Sequence, residues 1–461
     1  MILKRFYDEK LAHASYLVGC PGAGEACIID PNRDLNQYIE AAQSQGLRIT
    51  KVTETHIHAD YLSGSQELAE ITGAELLVSD EGDDDWKYES TIKATLLKDG
   101  DTFRIGSLRF DTWHTPGHTP EHITHILTDE ATSPEPVAAF TGDLIFVGDV
   151  GRPDLLEEAA GIIGTAEPGA RILFQTLQKF KTLPDSILLW PAHGAGSACG
   201  KSLGGSPVSS LGYEKLTNWG LRHKVESDFV KDVLAGQPEP PAYFAQMKSR
   251  NKQKFASVKT RLQATQLTDP AQAKNTIILD VRPSINYLGE HITGSLHAPV
   301  ALQGFTTWAG WLVPYDEPIV LIAINEQDAQ QAVKYLRQIG LDQVVGYYSE
   351  KSLPSFEKLT STPSIPAGTI NVADGHLLDI RGLGEHVLHS HPKSTHIPMG
   401  YLRKNKDKVP FNQRTFVHCQ GGARSPVAIS VLEHLGHRDL VNVQDGLLGF
   451  NLLAPEAACA K

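Results

Sequence analysis

The 461-residue sequence has little cysteine: Cys20, Cys27, Cys199, Cys419 and Cys459 are odd in number and widely spaced, which excludes a disulfide framework. It has no apolar run near the roughly 18 residues that a membrane-spanning helix needs, and its first residues lack the apolar core of a secretory signal. It also lacks an excess of positive charge. The 42 Lys and Arg against 54 Asp and Glu leave a net charge of −12, which argues against a general nucleic-acid binder, because neutralising phosphates takes clustered cations. A local site for a small anion survives that balance. Together these absences imply a cytoplasmic protein with reduced thiols and neither nucleic acid nor membrane as partner; Cys27 and Cys459 read as buried thiols. What is present is an ordinary globular composition, 41% hydrophobic and 21% charged, in a chain too long for one core. At about 100–200 residues per domain it should form three.

The first stretch, to about residue 210, reads as short apolar strands separated by Gly, Asp and Pro turns. Four of them, near residues 49–55, 108–113, 137–141 and 186–190, each deliver polar residues at the C-terminal end, where a rigid scaffold commonly holds a metal site. The first runs into Thr55-His56-Ile57-His58-Ala59-Asp60-Tyr61. The others run into His114-Thr115-Pro116-Gly117-His118, Thr141-Gly142-Asp143 and Pro191-Ala192-His193. A lone histidine is more often a satisfied structural residue, and His114, His122 and His125 are read that way. Four such motifs in order call for a metal. From about residue 213 the pattern turns helical and polar, with a Pro-rich break at 236–241 and a basic stretch, 248–259, read as a connecting helix with a solvated face.

This set of motifs resembles the metallo-β-lactamase fold, an αββα sandwich whose strand-end loops hold one or two metals. In two-zinc hydrolases of that fold a histidine follows the Asp of the first motif; here Tyr61 stands in its place, and a phenol that stays protonated is a poor ligand. A single metal is therefore expected. Residues 140–154, Phe-Thr-Gly-Asp followed by Gly-Asp-Val-Gly-Arg-Pro-Asp, resemble the persulfide dioxygenase branch. That resemblance implies one Fe(II) per chain held by His56, His118 and Asp143, a face with open positions for O2 and a thiolate-like sulfur. His58, Asp60, Tyr61 and His193 would then surround the ligands rather than bind metal; with zinc instead of iron, His58 would be a ligand. Arg152 is expected either to hold an anionic substrate or to pair with Asp154 or Asp149. The stretch 194–204 resembles the loop of dioxygenases that carry rhodanese tails. In it Cys199 is a candidate for accepting sulfur, with Lys201 two positions on to activate it; no role is read for Cys20.

The last 190 or so residues contain a degenerate repeat. Ile277-Ile278-Leu279-Asp280-Val281-Arg282 returns 99 positions later as His376-Leu377-Leu378-Asp379-Ile380-Arg381, each followed by a His-Ile pair and a second strand leading into a helix. In the second copy that junction is Cys419-Gln420-Gly421-Gly422-Ala423-Arg424-Ser425, whose small residues let backbone N–H groups turn inward at a helix N-terminus, around a nucleophilic cysteine. The loop resembles the rhodanese active site, with Cys419 and Arg424 catalytic and Gly421 and Gly422 lining the anion cradle; cysteine phosphatases place one residue more between Cys and Arg. Aligned on the second strand and helix, the first copy puts Ala323 opposite Cys419 and Asp328 opposite Arg424, and its acidic loop cannot form the cradle.

The expected architecture is α/β: a metallo-β-lactamase sandwich with a helical extension over 1–255, an inactive rhodanese-like domain over 256–362 and a catalytic one over 363–461, the last two with mostly parallel sheets. The expected chemistry is Fe(II)/O2 oxidation of a small thiol persulfide to sulfite, with Cys419 passing sulfur to sulfite to make thiosulfate, in a homo-oligomer. The alternatives are a zinc thioester hydrolase resembling glyoxalase II with an incidental tail, and a non-enzymatic sulfur relay.

Overall fold

In the computed structural model, residues 1–158, 164–241, 243–254 and 264–450 are described; Cys459 and the boundary expected at 255/256 lie outside them. The contacts divide the chain into two compact units, residues 1–259 with 338–340, and residues 260–337 with 341–461.

The first unit is built on two six-stranded sheets. One runs in chain order through Ile2–Asp8, His13–Cys20, Glu25–Ile29, Arg48–Thr53, Glu75–Ser79 and Thr95–Leu97. The other runs from Thr102–Ile105 through Leu108–His114, Ile123–Asp129, Ala138–Gly142 and Leu188–Pro191 to Ser209–Ser210. The alternation of strand side chains makes the layers. Tyr16, Val18, Cys27 and Ile29 meet Phe103, Phe110, Leu127 and Phe140 between the sheets. Leu17, Ala26 and Ile28 point the other way, onto Tyr38, Ala41 and Leu68. On the far side, Ile126, Ala139 and Leu189 pack on Leu173, Leu177 and Phe229 of the helices Ala166–Phe180 and Glu226–Leu234. This is the αββα sandwich expected, with the strand ends Thr53, His114, Gly142 and Pro191 leading into the four motifs.

The basic stretch departs from expectation. Its helix spans Phe244–Asn251, and residues 255–259 lie outside the described set. Nor is its polar face merely solvated: Lys248 Nζ sits 3.6 Å from the centre of the Trp86 ring, a cation–π contact.

In the second unit the repeat is structural. The first copy has a four-stranded sheet in the order Leu296–His297, Ile277–Asp280, Ile319–Ala323, Val344–Ser349. The second copy repeats that order as Ser394–His396, His376–Asp379, Thr415–His418, Leu440–Val443 and adds Ser364–Ile365 at the edge. All pairs in both sheets are parallel. Each Asp-x-Arg closes its first strand with the same buried clasp: Arg282 Nη2 bonds Asp280 at 2.6 Å and Glu290 O at 2.8 Å, and Arg381 Nη2 bonds Asp379 at 2.6 Å and His389 O at 2.7 Å. Asp280 and Arg282 are 0% and 1% exposed, so Arg282→Ala would strand a buried carboxylate. It should cost about 3–5 kcal/mol, seen as a lowered denaturant midpoint of this unit. Among the described residues no helix is long and apolar enough to cross a membrane.

Candidate metal centre and cysteine loop

The first site is assembled by fixing imidazoles from behind. Asp30 has a left-handed backbone (φ 51°) that places its carboxylate under the His56 loop. Its Oδ1 accepts the Thr55 N–H at 2.7 Å, and its Oδ2 accepts the Thr55 hydroxyl at 3.0 Å. With its proton committed to Asp30, Thr55 Oγ1 can only accept from His56 Nδ1, 3.0 Å away, which leaves the Nε2 lone pair of His56 free. His118 donates Nδ1–H to Arg152 O at 2.9 Å, and His193 donates Nδ1–H to Ala12 O at 3.0 Å. Asp143 is positioned by Gly142, whose φ of +49° and crowding against Thr55 and His122 exclude a side chain. The Asp143 N–H donates to His122 Nε2 at 3.1 Å, so His122 supports the site without entering it.

The result is convergent. His118 Nε2 lies 3.3 Å and His56 Nε2 4.0 Å from Asp143 Oδ2, and the three ligand atoms lie within 4.8 Å of one another. Both Asp143 oxygens are buried without a hydrogen-bond partner. Burial, reinforced by the neighbouring imidazoles, holds His56 well below the ordinary histidine range, and burial lowers His118 as well, so both are neutral donors. Two neutral imidazoles and an unpartnered carboxylate fit a divalent transition metal, which would satisfy each of them.

His58 stands apart from this trio. Its Nε2 is bound to Asp30 at 3.1 Å; burial opposes its charge, but Asp30 together with Asp60 and Glu54 raises it to about 9. Tyr61 is fully buried, and its hydroxyl donates to Asp30 O at 3.2 Å. A second trio of buried donors, Asp60, His193 and Cys199, also lies within 4.8 Å, with His193 Nε2 3.4 Å from both Asp60 Oδ2 and Asp143 Oδ1.

One expectation needs correction. Lys201 does not activate Cys199: its ammonium donates to Asp232 O and Ala235 O and lies over the Trp219 ring, while burial and the charges of Asp143 and Asp60 push the Cys199 thiol well up. Of the two roles held open for Arg152, the ion pair is the one present. Its guanidinium is 1% exposed, holds Asp154 at 2.7 and 2.8 Å and donates to Ala198 O and Pro238 O, while its carbonyl orients His118.

Several residues were missed. Asn251 Nδ2 donates to His58 O at 2.7 Å and Tyr61 O at 2.8 Å, and Tyr243 donates to Asp60 O at 3.0 Å, so the helical extension clamps the first motif. His13, wholly buried with neither ring nitrogen partnered, packs tilted against Tyr61 with ring centres 4.2 Å apart; no motif marks it, because it lies in a plain strand. Asp30→Asn, which tolerates the same backbone, should loosen the ligand orientation and weaken metal affinity about 10- to 100-fold, measured by chelator competition.

The cysteine loop lies between the strand Thr415–His418 and the helix Ser425–His434. Cys419 Sγ, 1% exposed, receives the Gly422 N–H at 3.1 Å and the Arg424 N–H at 3.4 Å, the inward-turned cradle expected. Gly422 has φ +88°, and a Cβ there would fall 2.0 Å from Gln444 O, whereas Gly421 meets nothing closer than 3.8 Å. In the first copy no such loop exists: Asn325 Oδ1 caps the Asp328 N–H at 3.0 Å and the helix begins at Glu326.

Comparison with known proteins agrees with this architecture. Residues 9–193 match the metallo-beta-lactamase superfamily, and residues 263–350, the copy without the cysteine, match the rhodanese-like domain. A crystal structure of a metallo-beta-lactamase from Staphylococcus aureus subsp. aureus COL is 40% identical, covering 76% of this chain and 98% of that one at a TM-score of 0.69. The persulfide dioxygenase ETHE1, mitochondrial, of Bos taurus is 29% identical over 235 residues, 50% of this chain and 80% of that protein. A hydroxyacylglutathione hydrolase of Methylococcus capsulatus is 32% identical over 178 residues, 39% of this chain and 60% of that protein. The chain belongs to the metallo-beta-lactamase superfamily. It is a fusion, in which an enzyme of that fold with a metal-binding site continues into rhodanese-like structure.

Proposed function

We propose that the first unit is a non-heme iron persulfide dioxygenase and that the Cys419 loop is a sulfurtransferase site, in three domains over 1–255, 256–362 and 363–461. The observation that carries the reading is the trio His56, His118 and Asp143, three donors on one face with His58 drawn off to Asp30. Similarity to persulfide dioxygenases supports it. When bound there, Fe(II) would supply O2 activation and a position for sulfur. The residues supply the rest: Asp30 and Thr55, Arg152 O and Ala12 O fix imidazole orientation, and the burial of His56, His118 and Asp143 limits bulk water at the metal. The overall reaction takes a thiol persulfide, O2 and water to the thiol, hydrogen sulfite and a proton. At Cys419, a persulfide passes its outer sulfur to sulfite; the S–S bond of the cysteine persulfide breaks, thiosulfate leaves, and the returning thiolate is held by the Gly422 and Arg424 N–H groups.

The first copy, with Ala323 in place of the nucleophile, is structural in this reading. We also propose a cytoplasmic homo-oligomer, on the free thiols and the enzyme class. The second reading, a zinc thioester hydrolase, is favoured by the trio Asp60, His193 and Cys199 and by similarity to hydroxyacylglutathione hydrolases. Anaerobic purification with metal quantification, then O2 uptake on glutathione and coenzyme A persulfides, separates them: iron with O2 uptake supports the dioxygenase, and zinc with thioester cleavage and no O2 uptake overturns it.

A further inference from the structure

Arg424 ends the cysteine loop, yet its guanidinium is already engaged. Its Nη1 and Nη2 donate to Glu385 Oε2 and Oε1 at 2.6 and 2.7 Å, a two-pronged pair with the third residue of the helix Leu383–Leu388. Glu385 Oε2 is held from its other side by the Gly382 N–H at 3.3 Å. Partial burial works against the Glu385 charge, but the Arg424 pair outweighs it and holds the carboxyl below its ordinary range. Both side chains keep an outer face, 27% and 39% exposed, so a dissolved anion can reach the pair.

The repeat shows that the fold itself does not need this carboxylate. The 99-residue offset that superimposes Asp379 and Arg381 on Asp280 and Arg282 sets Asn286 opposite Glu385, on a matching helix, Ser284–Gly289. There Asn286 Nδ2 donates to Glu350 at 2.7 Å instead, and the Asp-x-Arg clasp is intact. The copy without the cysteine thus lacks the nucleophile, the arginine and the glutamate together, as Ala323, Asp328 and Asn286.

Resting on the reading of Cys419 as a sulfurtransferase nucleophile, we infer that Glu385 is a built-in competitor that reserves the Arg424 side of the loop for substrates carrying an –SO3 group. Carboxylate and sulfonate oxygens both match the planar fork of arginine. A sulfite or thiosulfate oxygen pair takes the guanidinium from Glu385; thiosulfate then presents its sulfane sulfur to Cys419 Sγ, and sulfite presents its own sulfur to the outer atom of the Cys419 persulfide. A small acceptor without oxygens gains nothing from the exchange. Glu385 is therefore a specificity-determining residue, and the charging step it governs is balanced: the Cys419 thiolate attacks the sulfane sulfur of thiosulfate, the S–S bond breaks, and sulfite leaves with the electron pair.

The test uses the full chain and Glu385→Gln, which keeps the oxygen facing Gly382. Sulfate, an unreactive tetrahedral dianion, is titrated as a protectant of Cys419 against iodoacetamide, with the modified peptide read by mass spectrometry. The half-protecting sulfate concentration should fall about three- to tenfold in the variant. The KM for thiosulfate should fall with it, and the KM for hydrogen cyanide should move by less than about twofold, since that molecule has no oxygens to place on Arg424. Arg424→Lys should weaken protection with or without Glu385. Unchanged or weaker sulfate protection in Glu385→Gln, or equal shifts for thiosulfate and cyanide, would overturn the inference. If Cys419 of the unaltered chain gains no sulfur from thiosulfate, the sulfurtransferase reading fails instead, and the sulfate titration still decides the role of Glu385.

Discussion

Asp143→Ala should reduce bound iron from roughly one equivalent per chain to near none and take O2 uptake to background. The expectation follows from the geometry around it. Asp143 is the only carboxylate in the trio with His56 and His118, and both of its oxygens are buried without partners. Removing it leaves two imidazoles 5.2 Å apart between ring centres, too few donors to retain a metal against a chelator. The fold should tolerate the change, because the Asp143 N–H to His122, and not its side chain, anchors the strand end. His118→Ala should behave alike. An iron-replete, active variant of either kind would sink the assignment, and sulfur transfer at Cys419 serves as the internal control, since it belongs to the other unit.

Cys419→Ser should lower thiosulfate formation at least about a thousandfold, because a hydroxyl can neither attack sulfane sulfur at neutral pH nor store it. O2 uptake should persist, with sulfite accumulating as the end product. Intact-chain mass spectrometry after thiosulfate treatment gives an independent reading. A one-sulfur adduct on the unaltered chain should vanish in the variant, and an adduct that remains, with thiosulfate still produced, would move the sulfur carrier elsewhere. Cys199 is then the first residue to test, although burial beside two carboxylates disfavours its thiolate.

Much of this was legible in the sequence because the chemistry sits at strand ends. His56, His118, Asp143 and His193 each follow a short apolar strand bounded by Gly or Pro, and a parallel or antiparallel strand fixes where its last residue points. The Cys419 loop was legible because Gly422 has a purely steric reason to be glycine. What stayed hidden acts through the backbone or across long stretches of chain. Arg152 orients His118 with its carbonyl, which every residue type possesses. Asp30, Asn251 and Glu385 meet their partners only after folding, and none lies in a motif. Lys201 misled because closeness in sequence says little about direction: two residues along a loop turned its ammonium onto Asp232 O and Trp219, away from the thiol.

The clasp of Asn251 on the His58 and Tyr61 carbonyls joins residues up to 193 positions apart. During synthesis, at about 5–20 residues per second, the histidine loop leaves the ribosome roughly ten to forty seconds before the side chain that locks it. His118, Asp143 and His193 arrive in between. The nascent chain therefore carries His56, His58 and Asp60 before His118 and Asp143 emerge, and the whole ligand set before the clamp exists, open to whichever metal binds loose imidazoles most tightly. Choice of metal in the finished protein becomes a matter of timing as well as of ligands: an extension that docks slowly would leave a larger fraction of the chains holding an ion captured early.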